Sequence, residues 1–197
     1  MNSGKLSRSF FARSTLIVAR ELLGKVLVRK IGRKIIRAAI TETEAYCGPN
    51  DLASHASKGR TKRTEIMFGP PGFAYVYLIY GMYHCLNIVT EKENYPAAVL
   101  IRDVSLQWPV DSENSKFRKL KTVNCKLKTD LGGPGKLCRF LKIDKTLNGE
   151  DLIKSNKLWI ENYGVRIKPG QVGRSKRIGV EYAGSYKNKL WRFYVKE

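Results

Sequence analysis

The stretch Phe73–Thr90, FAYVYLIYGMYHCLNIVT, decides how this chain is read. Its β-branched and aromatic residues suit a pleated, half-buried surface, and Gly81 breaks the run near its middle. That pattern predicts two strands joined by a reversal at Gly81. Tyr75 and Tyr77, two apart, share one strand face, and Tyr80 falls at or near the hairpin tip. A tyrosine exposed at a tip can wedge between base pairs, and one facing a pocket can stack on a base. The plainer alternative is that these tyrosines only fill a sheet face.

Working outward, the turn GPPG (69–72) delimits the run on one side and AAVLIRDV (97–104) supplies another strand on the other. Upstream, KVLVRK (25–30) and IIRAAITETEAY (35–46) alternate as strands around a turn at Gly32. Near the end, residues 156–168 read as two short strands and LWRFYV (190–195) as a terminal one. STLIVARELL (14–23) has apolar residues at helical spacing after Ser14 or Thr15 as cap, and Gly24 ends it. GGPGKLCRFL (132–141) reads as a glycine turn opening a helix, residues 50–64 as a loop with a short helix, and the lysine-rich 105–130 as helix plus loop. Strands outnumber helices and arrive in clusters. The expectation is an α+β fold in a single domain over residues 1–197, with a curved, mainly antiparallel sheet, flanking helices and a protruding hairpin.

Charge narrows the partner. The net charge is +20, but its distribution says more. Residues 1–60 hold 12 basic and 4 acidic side chains, 112–197 hold 21 and 8, and 61–111 hold 4 and 5. Two basic flanks enclose a near-neutral, aromatic-rich centre, which favours a polyanion such as a phosphate backbone. A merely lysine-rich, solvated surface gives the same composition. No stretch approaches the roughly 20 apolar residues of a membrane span, and MNSGKLSRSF lacks the apolar core of a signal peptide. The chain therefore reads as soluble and intracellular: cytoplasmic and nucleoid-associated in a bacterium, nuclear in a eukaryote. Cysteines 47, 85, 125 and 138 form no Cys-x-x-Cys pair, and His55 and His84 have no finger-like spacing to them, so reduced, mostly buried thiols are expected.

Four further residues invite a chemical reading. Glu42 and Glu44 in TETEAY lie on one strand face, so one can act as general base with the other in support. Arg102 ends the apolar run VLIR, where it either snorkels to solvent or pairs with a buried carboxylate. His55, in the polar segment SHAS, can meet a phosphate or a base, although a lone loop histidine is more often neither.

The segments ETEAY (42–46), DLASHASKGRTKRT (51–64), MFGPPGFAYVYLIYGMYHCLNIV (67–89), AAVLIRD (97–103) and GPGKLC (133–138) resemble, in order, the alkyladenine (3-methyladenine) DNA glycosylase family. The resemblance runs over about residues 10–195, and its 67–89 block is long and specific. It implies a monofunctional hydrolase that flips alkylated purines from double-stranded DNA, cleaves the N-glycosidic bond and leaves an abasic site for base excision repair. It also implies a monomer that needs no metal or organic cofactor. Position by position, Glu44 matches the catalytic acid that deprotonates the attacking water, and Arg102 the residue orienting that water. Tyr46 matches the ring on one face of the flipped base, with His55 and Tyr77 on the other. Tyr80 matches the wedge that enters the minor groove, and Asn87 the pocket residue that crowds the exocyclic amine of guanine. The backbone carbonyl near Val180 matches a further water contact, and Met82, Thr61, Arg63 and Lys136 match contacts to DNA. Residues 105–130 match the family only loosely.

Two rival readings are weighed against this one. A zinc-dependent nucleobase deaminase needs His-x-Glu and Pro-Cys-x-x-Cys, and both are missing from the chain. A non-catalytic nucleic-acid-binding module explains the charge and the aromatics, but it has no use for Glu44 paired with Arg102. Lys62 and Lys92 are the lysines nearest the central motifs and neither lies on the strands read as the pocket, which favours hydrolysis over a Schiff-base lyase.

Overall fold

The computed structural model describes residues 4–106, 131–165 and 167–196. Their framework is an antiparallel sheet of β1 (Gly4–Lys5), β2 (Val26–Ile31), β3 (Lys34–Tyr46), β4 (Ala74–Ile79), β5 (Tyr83–Val89), β6 (Ala98–Ser105), β7 (Leu158–Asn162), β8 (Val172–Ser175) and β9 (Arg192–Val195). The strands run in the order β1-β7-β2-β3-β6-β5-β4, while β9 pairs with both β3 and β8. Helices α1 (Arg8–Phe11), α2 (Thr15–Glu21) and α3 (Pro134–Phe140) are short. The α+β architecture read from the sequence is the one observed. Of the segment 105–130, read as helix plus loop, Ser105 instead ends β6, and residues 107–130 lie outside the described residues.

The long strand β3 organises the sheet. Its first half pairs with β2, from Lys34↔Ile31 to Ala39↔Val26. Beyond that point β2 diverges, and β9 takes the same edge at Glu42↔Tyr194 through Glu44↔Arg192. On the other edge β6 runs alongside, with register shifts between Ile40 and Thr43. Such bulges bend a strand and strengthen its twist. The bend brings Glu42 and Glu44 to the place where three strands meet.

One large apolar cluster takes residues from Leu6 to Phe193 and includes Val18, Ile40, Leu86, Ile101 and Leu137. Helix α2 closes one side of it, with the buried Thr43 hydroxyl donating to the Ala19 carbonyl at 2.8 Å. Helix α3 packs on β5 and β6. Among the described residues no helix is long and apolar enough to cross a membrane.

Two local readings need correction. Ser14 occupies the N-cap position of α2 but makes no side-chain cap bond. Instead Glu91 Oε1 accepts from both the amide and the hydroxyl of Thr15, at 3.1 and 2.6 Å, so a distant carboxylate satisfies the helix start. Among the described residues of 156–168 there is one strand, not two. After β7, Gly164 turns the chain at φ 77°, and Val165 and Ile167 pack beside Gly24 instead of pairing. The second strand of this region is β8, further along.

Candidate active site

A cavity of about 370 Å³ opens between the β4–β5 hairpin, the segment after β3 and the loop before β9. Its lining brings together Tyr46, His55, Arg63, Tyr77, Tyr80, Asn87, Arg102 and Val180, residues separated by as much as two thirds of the chain. That volume is in the range of a small-molecule pocket.

Glu44 sits behind one wall with 0% of its surface exposed. Its Oε1 accepts the Ile178 amide at 2.9 Å and lies 3.3 Å from Arg102 Nη1. Its Oε2 accepts the Tyr46 hydroxyl at 3.0 Å. Burial pushes the Glu44 carboxyl above its ordinary range, while Arg102 nearby, the Ile178 amide and the Tyr46 hydroxyl draw it back. Arg102 also donates from Nε to Glu42 Oε1 at 2.9 Å, and Arg192 donates to the same oxygen. Both acids therefore face one guanidinium, as their spacing of two predicts. Tyr46 is itself pushed well above the usual phenol range by burial and by Glu44, so it keeps the proton it donates.

On the other side, strand alternation puts Tyr75 and Tyr77 together, with ring centroids 5.2 Å apart. His55 meets the Tyr77 ring edge-on at 4.5 Å, and its Nδ1 lies 3.0 Å from the Tyr75 hydroxyl. Burial, with Arg63 and Lys58 close by, lowers the His55 imidazole to about 4, so it is neutral at physiological pH. Asn87, buried on β5, donates to the Tyr75 carbonyl at 3.4 Å. Arg63 lies over the Tyr77 ring at 5.3 Å, so it stands in the cavity wall itself. The thiol of Cys85, also in the wall, is pushed up to about 11 by burial and is a poor nucleophile at neutral pH. Among the described residues lining the cavity there is no lysine.

The hairpin tip is a tight turn in which Met82 N donates to Ile79 O at 3.2 Å. Tyr80 and Gly81 both take positive φ, 50° and 68°. Glycine adopts this conformation freely, whereas a tyrosine pays about 1–2 kcal/mol for it. Tyr80 is nonetheless 84% exposed, flanked by the exposed side chains of Leu78 and Met82. An apolar tip held in a strained turn has no packing role within the fold. Lys136, exposed on α3, stands near that hairpin, because Gly135 lies against the Tyr83 ring so closely that a Cβ would come within 3.0 Å of it. Thr61 is exposed and exchanges hydrogen bonds with Thr64, which fixes the turn leading to Arg63.

Val180 lines the cavity, and its carbonyl accepts the Ala183 amide at 3.0 Å, leaving a second lone pair. The same loop contains two features that the sequence reading missed. Ile178 supplies the amide that holds Glu44. Arg177 forms a fully buried, two-pronged ion pair with Asp51, at 2.5 and 2.8 Å. The pair joins positions 126 residues apart, and no local spacing could signal it.

The model of the methylpurine-DNA glycosylase (MPG) family matches residues 9–197. A protein of Methanocella arvoryzae, whose name provisionally assigns it as a 3-methyladenine DNA glycosylase, is 50% identical over 97% of this chain and 92% of its own length. Similarly named proteins of Clostridium perfringens and Desulfitobacterium hafniense are 44% and 45% identical, each over 98% of this chain and 96% of their own. The chain belongs to the methylpurine-DNA glycosylase family.

Proposed function

We propose that this member of a DNA glycosylase family excises alkylated purines of the 3-methyladenine type from duplex DNA as one monomeric domain, by hydrolysis activated at Glu44. The observation that carries the reading is a buried carboxylate held by Arg102, Tyr46 and the Ile178 amide directly behind an aromatic pocket. The family match and the names of the relatives support the same substrate class.

The chemistry follows from the bond inventory. Each carboxylate oxygen can accept two hydrogen bonds. Oε1 already receives the Ile178 amide and faces Arg102, while Oε2 receives Tyr46 alone, so Oε2 takes the proton of the attacking water. The water oxygen bonds to C1′ of the damaged nucleotide as the C1′–N bond breaks, and that electron pair leaves with the purine. A purine alkylated at N3 or N7 is cationic, so it departs neutral without needing a strong acid. The ionised Glu44 also opposes the positive charge that develops on the sugar. Because Glu44 has no exposed surface, the water reaches it only when the wall formed by Tyr46, Arg102 and the Ile178–Val180 loop gives way.

The pocket suits a cationic purine. Tyr46 and Tyr77 offer π faces to a positive ring, and the neutral His55 adds no opposing charge. Base flipping costs a few kcal/mol, least for a damaged and poorly paired base, and Tyr80 offsets this by filling the gap. Met82, Thr61, Arg63 and Lys136 contribute to holding the duplex around that hairpin. Incubating the protein with methylated duplex DNA and separating the products by chromatography tests the reading: free 3-methyladenine and abasic sites should appear together. Intact DNA after prolonged incubation, despite tight binding, would favour a non-catalytic binding module.

A further inference from the structure

The chemistry above does not use the most deeply buried ion pair among the described residues. Arg177 and Asp51 both have side chains 0% exposed. Charges so deep are tolerated only when paired, and although Arg177 Nε has no partner, those of its two Nη groups and of Asp51 are informative. Asp51 accepts the Cys47 amide on Oδ2 and the Ala53 amide on Oδ1, which fixes the segment between β3 and His55. Arg177 Nη1 donates to the carbonyl of Ala45, the residue between Glu44 and Tyr46, at 2.8 Å. Its guanidinium lies 4.8 Å from the Tyr46 ring and 5.0 Å from the Trp191 ring. The next residue is Ile178, whose amide holds Glu44 Oε1. One side chain thus touches the backbone beside the base, the ring that closes over it and the loop that grips it.

Resting on the glycosylase reading, we propose that Arg177, braced by Asp51, is a positioning residue for excision: it fixes the Tyr46 ring and the Ile178 amide around Glu44, and so sets the rate of bond cleavage rather than the affinity for DNA. The competing account is a staple that serves only folding. A staple predicts lost stability with an unchanged rate per folded molecule. A positioning residue predicts a slower chemical step in a folded protein, because displacement of a reacting group by about 1 Å can cost 10²-fold in rate.

The test uses the full chain with Arg177→Lys and the double variant Asp51→Asn/Arg177→Gln, which leaves no unpaired buried charge. Thermal melting, affinity for a duplex carrying an abasic-site analogue, and single-turnover release of 3-methyladenine across pH 5–9 are measured on each. The double variant should bind within about fivefold of wild type yet cleave about 100-fold more slowly. The acid limb should also move to higher pH. The Ile178 amide favours the ionised carboxylate, so loosening it lets Glu44 keep its proton to higher pH. Arg102 from β6, Glu42 from β3, Tyr77 from β4 and Cys85 from β5 stay near Glu44 in the variants, whereas Tyr46 loosens with the Ile178 amide, and the charge of Arg177 itself is lost only in the double variant. Arg192 reaches the cluster through Glu42. Arg177→Lys keeps the charge but loses the fork, so it should recover only part of the rate. A folded variant that cleaves at the wild-type rate with an unmoved acid limb overturns the proposal. Should the double variant melt below the assay temperature, Arg177→Lys decides on the same readouts. If wild type itself releases no base, the glycosylase reading fails instead.

Discussion

The amide of Ile178 donates to Oε1 of Glu44 at 2.9 Å, joining β3 to a loop 134 residues further along the chain. Arg102 approaches the same oxygen from β6. Three parts of the chain therefore converge on one carboxylate.

Tyr80→Ala should abolish stable base flipping and leave the fold intact. The side chain is 84% exposed, so it has almost no packing to lose. Tyr75→Ala is the contrast: that ring is 2% exposed, and deleting a buried aromatic costs about 3–5 kcal/mol. Thermal melting and 2-aminopurine fluorescence beside the lesion should be recorded on both variants. A large drop in melting temperature with normal flipping in Tyr80→Ala would mean that Tyr80 is packing, not a wedge.

His55 should give the protein a stability slope in acid. Its imidazole is lowered to about 4 in the folded state, against about 6.5 in an unfolded chain. Between those values the unfolded state binds the extra proton, so stability is present above pH 6.5 and is lost as pH falls toward 4. Denaturant midpoints at pH 7 and pH 5 should differ less in His55→Gln than in wild type. Equal differences would place His55 outside this linkage.

Binding to undamaged duplex should weaken steeply with salt, each neutralised phosphate contributing about −0.9 to the slope of log K against log salt. Lys136→Ala should reduce that slope by about 1 while leaving cleavage of bound substrate unchanged. An unaltered slope would remove Lys136 from the interface.

The hairpin was legible in the sequence because its causes are local. Alternation places Tyr75 with Tyr77, and Gly81 supplies the positive φ that the turn needs. The shared face of Glu42 and Glu44 was legible for the same reason, and both do meet Arg102. Strand β8, VGRS, was not, because it has little β-branched character and forms by pairing with β9. The α2 start was misread because Glu91, a residue from after β5, substitutes for a local cap. The Arg177–Asp51 pair and the Ile178 amide were invisible for a stronger reason: their roles exist only once distant segments have come together.

The most direct measurement is single-turnover release of 3-methyladenine by wild type and Glu44→Gln, with DNA affinity measured in parallel. The amide keeps the shape of Glu44 but cannot take a proton from water or oppose the charge on the sugar. General-base catalysis is typically worth about 10²–10⁴-fold, so the variant should bind damaged duplex within a few-fold of wild type and cleave at least about 10²-fold more slowly. Release of the base by Glu44→Gln at a rate close to wild type would contradict the account, because the buried carboxylate would then not be the group that activates the water.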